Sequence, residues 1–413
     1  MRSRFFIPII LAIMVVLDLY VFQAVRASVS NQSPRLRALV TLIYWLVALG
    51  CWIVVVTLPY WKAPEAHKSF RLLLVSLMIG LYLGKLIASV FFLIDDLRRG
   101  GVWFVSLFTR EGTATSVSEG ISRSRFLSQL GLIMGGTLLA TLIYGFSNKY
   151  DYKIHRVKLR LPNLPPAFRG MKILQVSDIH SGSFDHFKKV ERGVEMMLAQ
   201  QADVIFFTGD LVNDRSEEMD DYQALFSRLK APLGVYSILG NHDYGDYVHW
   251  PSAREKAGNL QRLKDIQAAM GWKMLNNDHV LLERDGQKIA VLGVENWSAK
   301  ARFPKYGDLK KAYAGTQEIP FKILLSHDPS HWDAQVRTDY PDIDLMLAGH
   351  THGMQFGVEI PGLKWSPIQY AYPEWAGLYR KGKQYLYVNR GYGFLGYPGR
   401  VGILPEITVI ELS

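Results

Sequence analysis

Four long apolar runs dominate the first third of the chain. They cover roughly residues 5–24, 37–58, 71–94 and 126–146. Each is close to the ~20 residues an α-helix needs to cross the hydrocarbon core of a bilayer. Inside lipid every backbone N–H and C=O must be satisfied within the protein, which leaves helices or closed barrels. None of the runs alternates polar and apolar residues, so four transmembrane helices are expected. The first run has the length of a secretory signal, but no A-x-A site ends it and three further spans follow, so it reads as an anchor. Asp18 and Lys85 fall inside spans one and three. They read either as a buried pair or as groups facing a neighbouring helix or an interface. Cys51, the single cysteine, cannot form an internal disulfide and reads as a small packing residue.

Charge is distributed unevenly. The chain carries a formal net charge of +10. Residues 1–150 hold 15 Lys+Arg against 6 Asp+Glu, whereas residues 151–413 hold 32 against 31. The excess flanks the apolar runs, as expected of membrane-adjacent charge, and the nearly neutral remainder argues against a nucleic-acid partner. The loops after spans one and three carry Arg26, Arg35, Arg37, Arg98, Arg99, Arg110, Arg123 and Arg125; the opposite side carries Arg2, Arg4, Lys62, Lys68 and Arg71. The positive-inside rule then leans toward an extracytoplasmic C-terminal domain. The imperfect twin-arginine segment 122–127 agrees with this, while Lys149, Lys153, Arg156, Lys158 and Arg160 after span four pull the other way. The expected location is a bacterial cytoplasmic membrane, with membrane lipids as partners. Three regions result: a membrane domain at 1–147, a proline-containing stem at 148–170 and a catalytic domain at 171–413.

From about residue 151 the pattern changes to strand-length apolar runs separated by charged stretches. Strands are predicted at 171–177, 203–208, 233–239, 288–294, 321–326, 343–348, 384–389 and 406–412, with a half-exposed one at 153–161. Continuous apolar strands are those covered on both faces. Helices are predicted at 187–200, 216–230 and 259–270, the second with Tyr222, Leu225, Phe226 and Leu229 on one stripe. Asp285-Gly286 marks a hairpin turn. Alternating elements imply a layered α/β domain.

Five short polar motifs each follow a predicted strand: Asp178-Ile179-His180, Gly209-Asp210, Gly240-Asn241-His242-Asp243, Ser326-His327-Asp328 and Gly349-His350-Thr351-His352. In open α/β sheets ligands bind beyond the carboxyl ends of the strands, so five such ends can converge on one place. Asp178 and Asp210 offer carboxylate oxygens, Asn241 an amide oxygen, and His180, His327, His350 and His352 imidazole nitrogens. This thiolate-free set suits first-row divalent metals such as Mn, Fe or Zn. Seven donors exceed what one ion takes from protein; two ions sharing a bridging carboxylate would use them and leave positions for water and substrate. Such a pair generates a hydroxide near neutral pH and clamps a phosphoryl group for in-line attack. His242 is needed by neither ion. It is the candidate to protonate the leaving oxygen, with Asp243 orienting it. Any one fragment alone is most often a turn or a helix cap; five in order are not.

These five motifs resemble the calcineurin-like metallophosphoesterase superfamily, over about residues 170–413. The resemblance implies a four-layer αββα sandwich and two divalent metal ions. One ion would be held by Asp178, His180, Asp210 and His352, the other by Asp210, Asn241, His327 and His350, with His242 the non-ligand catalytic residue. Many members read G-D-x-x-D where this chain has Asn213, a position that is not a metal ligand in the pattern. The segments AGHTHGMQFG, YVNRGYGFLGYPGR and PEITVIEL resemble the bacterial membrane-anchored branch, whose relatives are associated with hydrolysis of UDP-2,3-diacylglucosamine. The implied activity is hydrolysis of a phosphoester or pyrophosphate, on a phosphorylated and lipid-linked substrate. The alternatives are a general phosphodiesterase or a non-enzymatic membrane scaffold that keeps the fold. Residues 244–252 and 364–379, rich in Trp and Tyr, read as a wall for lipid or sugar or as ordinary loop packing, and Arg390 as a phosphate contact or a structural ion pair. His331 and Trp332 read as support for the metal ligands or as packed side chains; Asp185, His186, His249 and His279 read as surface residues.

Overall fold

The computed structural model describes residues 2–61, 68–106, 108 and 124–413. Lys62, Arg110, Ser122 and Arg123 of the charge and twin-arginine readings lie outside the described residues. The chain divides into two compact units, Met1–Tyr144 and Gly145–Ser413.

The first unit consists of helices α1 (Arg2–Ser28), α2 (Pro34–Thr57), α3 (Lys68–Ser106) and α4 (Arg125–Gly145). All four are long and apolar enough to cross a membrane. Ser33 caps α2 by accepting from the N–H of Leu36, and Pro34 occupies the first turn, where its missing N–H costs nothing. Helix α3 runs to Ser106, well past the apolar run that was expected to end near residue 94. Its charged continuation stays helical because Arg98 pairs with Asp95 and Arg99 with Asp96 at i,i+3, each at 3.0 Å. Helices α3 and α4 meet through small residues. A Cβ on Gly84 would lie 2.7 Å from the Gly135 carbonyl oxygen, and one on Gly131 would lie 2.9 Å from that of Ala88. Backbones come this close in lipid only where side chains are absent.

Asp18 and Lys85 form a buried ion pair. The remaining acceptor capacity of Asp18 is filled by Tyr82 Oη at 2.6 Å and Trp52 Nε1 at 2.8 Å, while Tyr44 Oη donates to the Asp18 carbonyl at 2.8 Å. Such saturation is what makes a charge tolerable away from water.

In the second unit five strands come first: β1 (Lys153–Leu159), β2 (Lys172–Val176), β3 (Val204–Phe207), β4 (Val235–Ser237) and β5 (Trp272–Met274). Next come β6 (Asp278–Arg284), β7 (Gln287–Gly293), β8 (Lys322–Leu325), β9 (Leu345–Ala348), β10 (Val358–Ile360), β11 (Leu363–Trp365), β12 (Gly377–Lys381), β13 (Gln384–Val388) and β14 (Glu406–Leu412). They make two six-stranded sheets, ordered β1-β14-β2-β3-β4-β5 and β12-β13-β9-β8-β7-β6, with β10–β11 a separate hairpin. Strands β2 to β5 are parallel, as are β7, β8, β9 and β13. Asp285-Gly286 turns the β6–β7 hairpin. The segment 148–170, read from its prolines as a stem, contains β1, an edge strand paired in parallel with β14.

Burial explains why the central strands read as unbroken apolar runs. Along β2, Ile173 enters the core between the two sheets, while Leu174 and Val176 face the opposite layer with Val190, Val194, Phe226 and Leu263. Along β8, Ile323 and Leu325 join the inter-sheet core and Leu324 packs with Leu309, Trp332 and Val336. Side chains alternate, but every face is covered. The order is therefore helices, sheet, sheet, helices: the four-layer α/β sandwich of the metallophosphoesterase fold.

Helix α5 (Phe187–Leu198) lies where expected. The predicted helix at 216–230 does not form as one element. A 3-10 turn at Ser216–Met219 precedes a short helix α6 (Gln223–Phe226). Glu218 turns back to accept from the N–H of Asn213 at 2.6 Å and of Arg215 at 3.3 Å, which fixes a tight turn there. The stripe Tyr222, Leu225, Phe226 and Leu229 is nevertheless buried. Helix α7 (Ala253–Ala269) starts earlier than expected, because Ser252 caps it by accepting from Glu255 N–H at 3.2 Å.

Candidate metal centre

The five polar motifs follow β2, β3, β4, β8 and β9, the parallel strands at the middle of both sheets. Backbone bonds tie the loops together: Asp178 N–H donates to Gly209 O at 2.9 Å, His180 N–H to Asp210 O at 3.2 Å, and Gly349 N–H to His327 O at 2.9 Å. Five non-glycine motif residues adopt left-handed backbone: Asp178 (φ 53°), His180 (48°), Asp210 (61°), His350 (73°) and His352 (50°). Non-glycine residues avoid this region at some cost in energy, and such strain persists where surrounding structure imposes it. Two glycines make room for the carboxylates. A Cβ on Gly240 would lie 2.2 Å from Asp210 Oδ1, and one on Gly349 would lie 2.2 Å from Asp178 Oδ2.

Five of the seven candidate donors meet at one face of the cage. His352 Nε2 is 3.1 Å from His180 Nε2 and 3.2 Å from Asp178 Oδ1. Asp210 Oδ2 lies between two imidazoles, 3.1 Å from His327 Nε2 and 3.6 Å from His180 Nε2. Two overlapping triads, Asp178–His180–His352 and Asp178–Asp210–His327, each bring their ligand atoms within 4.8 Å of one another, which is metal-holding range. The other two donors sit together: Asn241 Oδ1 is 2.7 Å from His350 Nδ1.

Each imidazole keeps one nitrogen for the cage and gives the other to the protein. His180 Nδ1 meets Asn213 Oδ1 at 3.1 Å, His327 Nδ1 meets Thr208 O at 2.7 Å, and His350 Nε2 meets Tyr372 Oη at 3.0 Å. Tyr372 Oη in turn donates to Asp328 at 3.2 Å, and the buried Arg400 guanidinium lies 3.3 Å from His352 Nδ1. Metal-bound histidines are oriented in this way. His327 Nε2 is buried and 3.1 Å from Asp210 Oδ2, yet makes no hydrogen bond. A cation between these atoms removes both anomalies, the idle nitrogen and the close approach of two imidazoles.

Electrostatics follow from the same crowding. Burial alone would raise the carboxyl pKa values, but the imidazoles of His352 and His327 hold Asp178 below the usual range, and those of His327 and His242 hold Asp210 there. Burial pushes His180 down to about 3, aided by His352, and lowers His350. His327 moves the other way, to about 10, because Asp210 and Asp178 outweigh its burial.

His242 lies at the mouth, partly exposed. Its backbone N–H donates to Asp210 Oδ1 at 2.8 Å, and its Nδ1 meets Asn213 O at 2.7 Å, which leaves Nε2 without a hydrogen bond among the described residues. Asp243 does not reach the His242 ring. Its buried carboxylate accepts from the N–H groups of Gly240 (2.8 Å), Asp210 (2.9 Å) and Leu211 (2.8 Å), and so holds the Asp210 loop. Burial and the nearby Asp210 push Asp243 up to about 7. Arg390 is a structural residue, buried between Glu406 and Glu359 with 2.5 Å contacts to each. His331 is packed, bonding Ser326 Oγ and Gln335 at 2.9 Å each and stacking on Trp297. The aromatic segments contribute Tyr247, which bonds the Asn241 amide at 2.9 Å and lies against His242, and Tyr372. Sequence reasoning did not single out Tyr247, Tyr372 or Arg400; the density of aromatics in both segments was the one available signal for the tyrosines.

Residues 2–149 match the family described as Probable Calcineurin-like phosphoesterase, transmembrane domain, and residues 171–354 match Calcineurin-like phosphoesterase. The chain is 32% identical over 306 residues to the Uncharacterized metallophosphoesterase YkuE of Bacillus subtilis (strain 168), covering 71% of this chain and 98% of that protein. It is 28% identical over 417 residues to the Transmembrane protein with metallophosphoesterase domain of Danio rerio, covering 91% of each. To the UDP-2,3-diacylglucosamine pyrophosphatase LpxG of Chlamydia muridarum (strain MoPn / Nigg) it is 27% identical over 294 residues, covering 58% of this chain and 83% of that one. The chain belongs to the calcineurin-like metallophosphoesterase family. It is a membrane protein with a phosphoester-hydrolase domain and a site built for divalent metal.

Proposed function

We propose that the protein is a dinuclear-metal hydrolase acting on a phosphorylated, lipid-linked substrate at a membrane surface. The observation that carries this reading is the cage: buried carboxylates among four imidazoles whose inward nitrogens meet one another and the other candidate donors, with His327 Nε2 left without a hydrogen bond. Asp178, His180, Asp210 and His352 would hold one ion, and Asp210, Asn241, His327 and His350 the other, with Asp210 shared. Two divalent ions supply charge neutralisation at a phosphoryl group and a nucleophile at neutral pH.

The chain's own groups then do the following. Asp243, anchored on four backbone N–H groups, holds the Asp210 loop in register. Asn213 and Thr208 fix which nitrogens of His180 and His327 face inward. His242 Nε2 donates a proton to the departing oxygen or steadies developing phosphoryl charge. A pyrophosphate joined to a lipid, as in the UDP-2,3-diacylglucosamine named for the Chlamydia muridarum pyrophosphatase, fits a hydrolase held at a bilayer. We place the protein in a bacterial cytoplasmic membrane.

The test is a screen of lipid-linked and nucleotide-sugar phosphoesters, beside an aryl phosphodiester, with manganese-loaded wild type and Asp210→Ala. Wild type should hydrolyse at least one, and Asp210→Ala should lose both turnover and bound metal by elemental analysis. Equal turnover by the two proteins would refute the mechanism. Activity confined to water-soluble esters would leave a general phosphodiesterase. Metal-replete protein with no bound transition metal would favour the scaffold reading.

A further inference from the structure

Hairpin β10–β11 is built inside out. Its register pairs Val358 with Trp365, Glu359 with Lys364 and Ile360 with Leu363. Side chains alternate across a strand, so one face carries Val358, Ile360, Leu363 and Trp365, and the other carries Glu359 and Lys364. The charged face is the one turned to the protein. Glu359 holds the buried Arg390 through bonds of 2.9 and 2.5 Å, and the Lys364 ammonium donates to the Ala376 carbonyl and lies over the Trp375 ring. The apolar face is most open at the hairpin tip, where Ile360 is 58% and Leu363 51% accessible; Trp365 is partly buried, Lys364 stays exposed although its ammonium turns to the protein, and Tyr370 just beyond is 80% accessible. A hairpin resting in water has the opposite arrangement.

We propose that this face lies in the headgroup–acyl boundary of the bilayer that anchors the chain. Three observations select lipid as the occupant. Four apolar helices hold the protein at a bilayer, so a lipid surface is always within reach. Valine, isoleucine and leucine flanked by Trp365 and Tyr370 match the composition of interfacial segments. The exposed face amounts to a few side chains, far short of the ~800 Å² per partner that a specific protein interface requires. The hairpin is also fastened to the metal loop, since Ser366 Oγ donates to Gly353 O at 2.9 Å and Thr351 Oγ1 to Trp375 O at 2.6 Å. Docking would therefore place the His350–His352 loop beside the lipid surface. The inference stands on hairpin geometry and membrane anchoring and does not depend on the hydrolytic reading.

The experiment uses the full chain with Cys51→Ala, so that a single introduced cysteine carries a nitroxide, in nanodiscs of phosphatidylcholine and phosphatidylglycerol. Labels replace Ile360, Leu363 or, as a water-exposed control, Asp285. At Ile360 and Leu363, collision with oxygen should exceed collision with a water-soluble nickel chelate several-fold, and at Asp285 the order should reverse. Nickel access at all three positions would overturn the proposal. So would shielding from both reagents, which would mean that a second copy or another protein covers the face. Adding Ile360→Asp should return the Leu363 label to water at an unchanged melting temperature; a persistent lipid signal there would also overturn it.

Discussion

Both units of this molecule bury carboxylates beside cationic or imidazole groups, and they finish the job differently. In the membrane unit Asp18 is saturated by protein: Lys85, Tyr82 and Trp52 take its carboxylate, and Tyr44 takes its carbonyl. In the hydrolase unit Asp178 and Asp210 are as deeply buried, yet the imidazoles around them turn nitrogens toward one another and His327 Nε2 bonds nothing. A closed cluster is a structural device, whereas an open one has the donor set to hold a cation. The difference teaches how to tell them apart. One asks whether the inward-facing atoms already have partners, not how many charged residues are close.

Mutations can break or sharpen that contrast. The largest effect belongs to the open cluster: Asp210→Ala should reduce turnover to background and release metal. His242→Ala should lower turnover about 10²–10⁴-fold with metal content unchanged, as measured by steady-state kinetics beside elemental analysis. Metal loss from that variant would make His242 part of the cage. In the closed cluster, Lys85→Met leaves a buried carboxylate uncompensated and should destabilise the membrane unit by about 3–5 kcal/mol. The double change Asp18→Leu, Lys85→Met should recover most of that in denaturation of the lipid-reconstituted protein. A neutral single variant would mean that the pair contributes nothing.

A third buried pair sharpens the comparison through pH. Burial would raise the Glu406 pKa, but the Arg390 guanidinium beside it holds it at about 2, below its ordinary 4.5. A depressed carboxyl stabilises the fold fully above about pH 4.5 and progressively less as pH falls toward 2. The contribution is about 3 kcal/mol. Glu406→Gln should flatten the acid limb of the stability curve over that window, measured in chelator so that metal release does not intrude. Last, Asn213→Ala removes the oxygen that orients His180 and should weaken metal binding about 10–100-fold, by titration with a competing chelator. An unchanged affinity would show that the His180 ring is held by packing alone.

Much of this was legible in advance, for identifiable reasons. The five motifs could be read because each closes a strand covered on both faces, and such strands appear as unbroken apolar runs. Asp18 and Lys85 were visible as intruders in apolar spans. Other features resisted. Helix α3 outran its apolar run because Asp95–Arg98 and Asp96–Arg99 pairs stabilise helix beyond it. The stretch from 216 to 230 broke because Glu218 serves Asn213 and Arg215 instead of its own helix. Asp243 sits next to His242 in sequence, yet its side chain points to backbone N–H groups of another loop.

The amino-acid order by itself determined the four membrane spans, the layered hydrolase domain and the chemical identity of the candidate metal donors, because these depend on local pattern and residue type. Only the tertiary structure decided which nitrogen of each histidine faces the cage, that Asp18 has a full set of partners while His327 Nε2 makes no hydrogen bond, and that the β10–β11 hairpin shows its apolar face outward. Those outcomes depend on contacts between residues far apart in the chain, whose directions are set by packing and not by the spacing of letters.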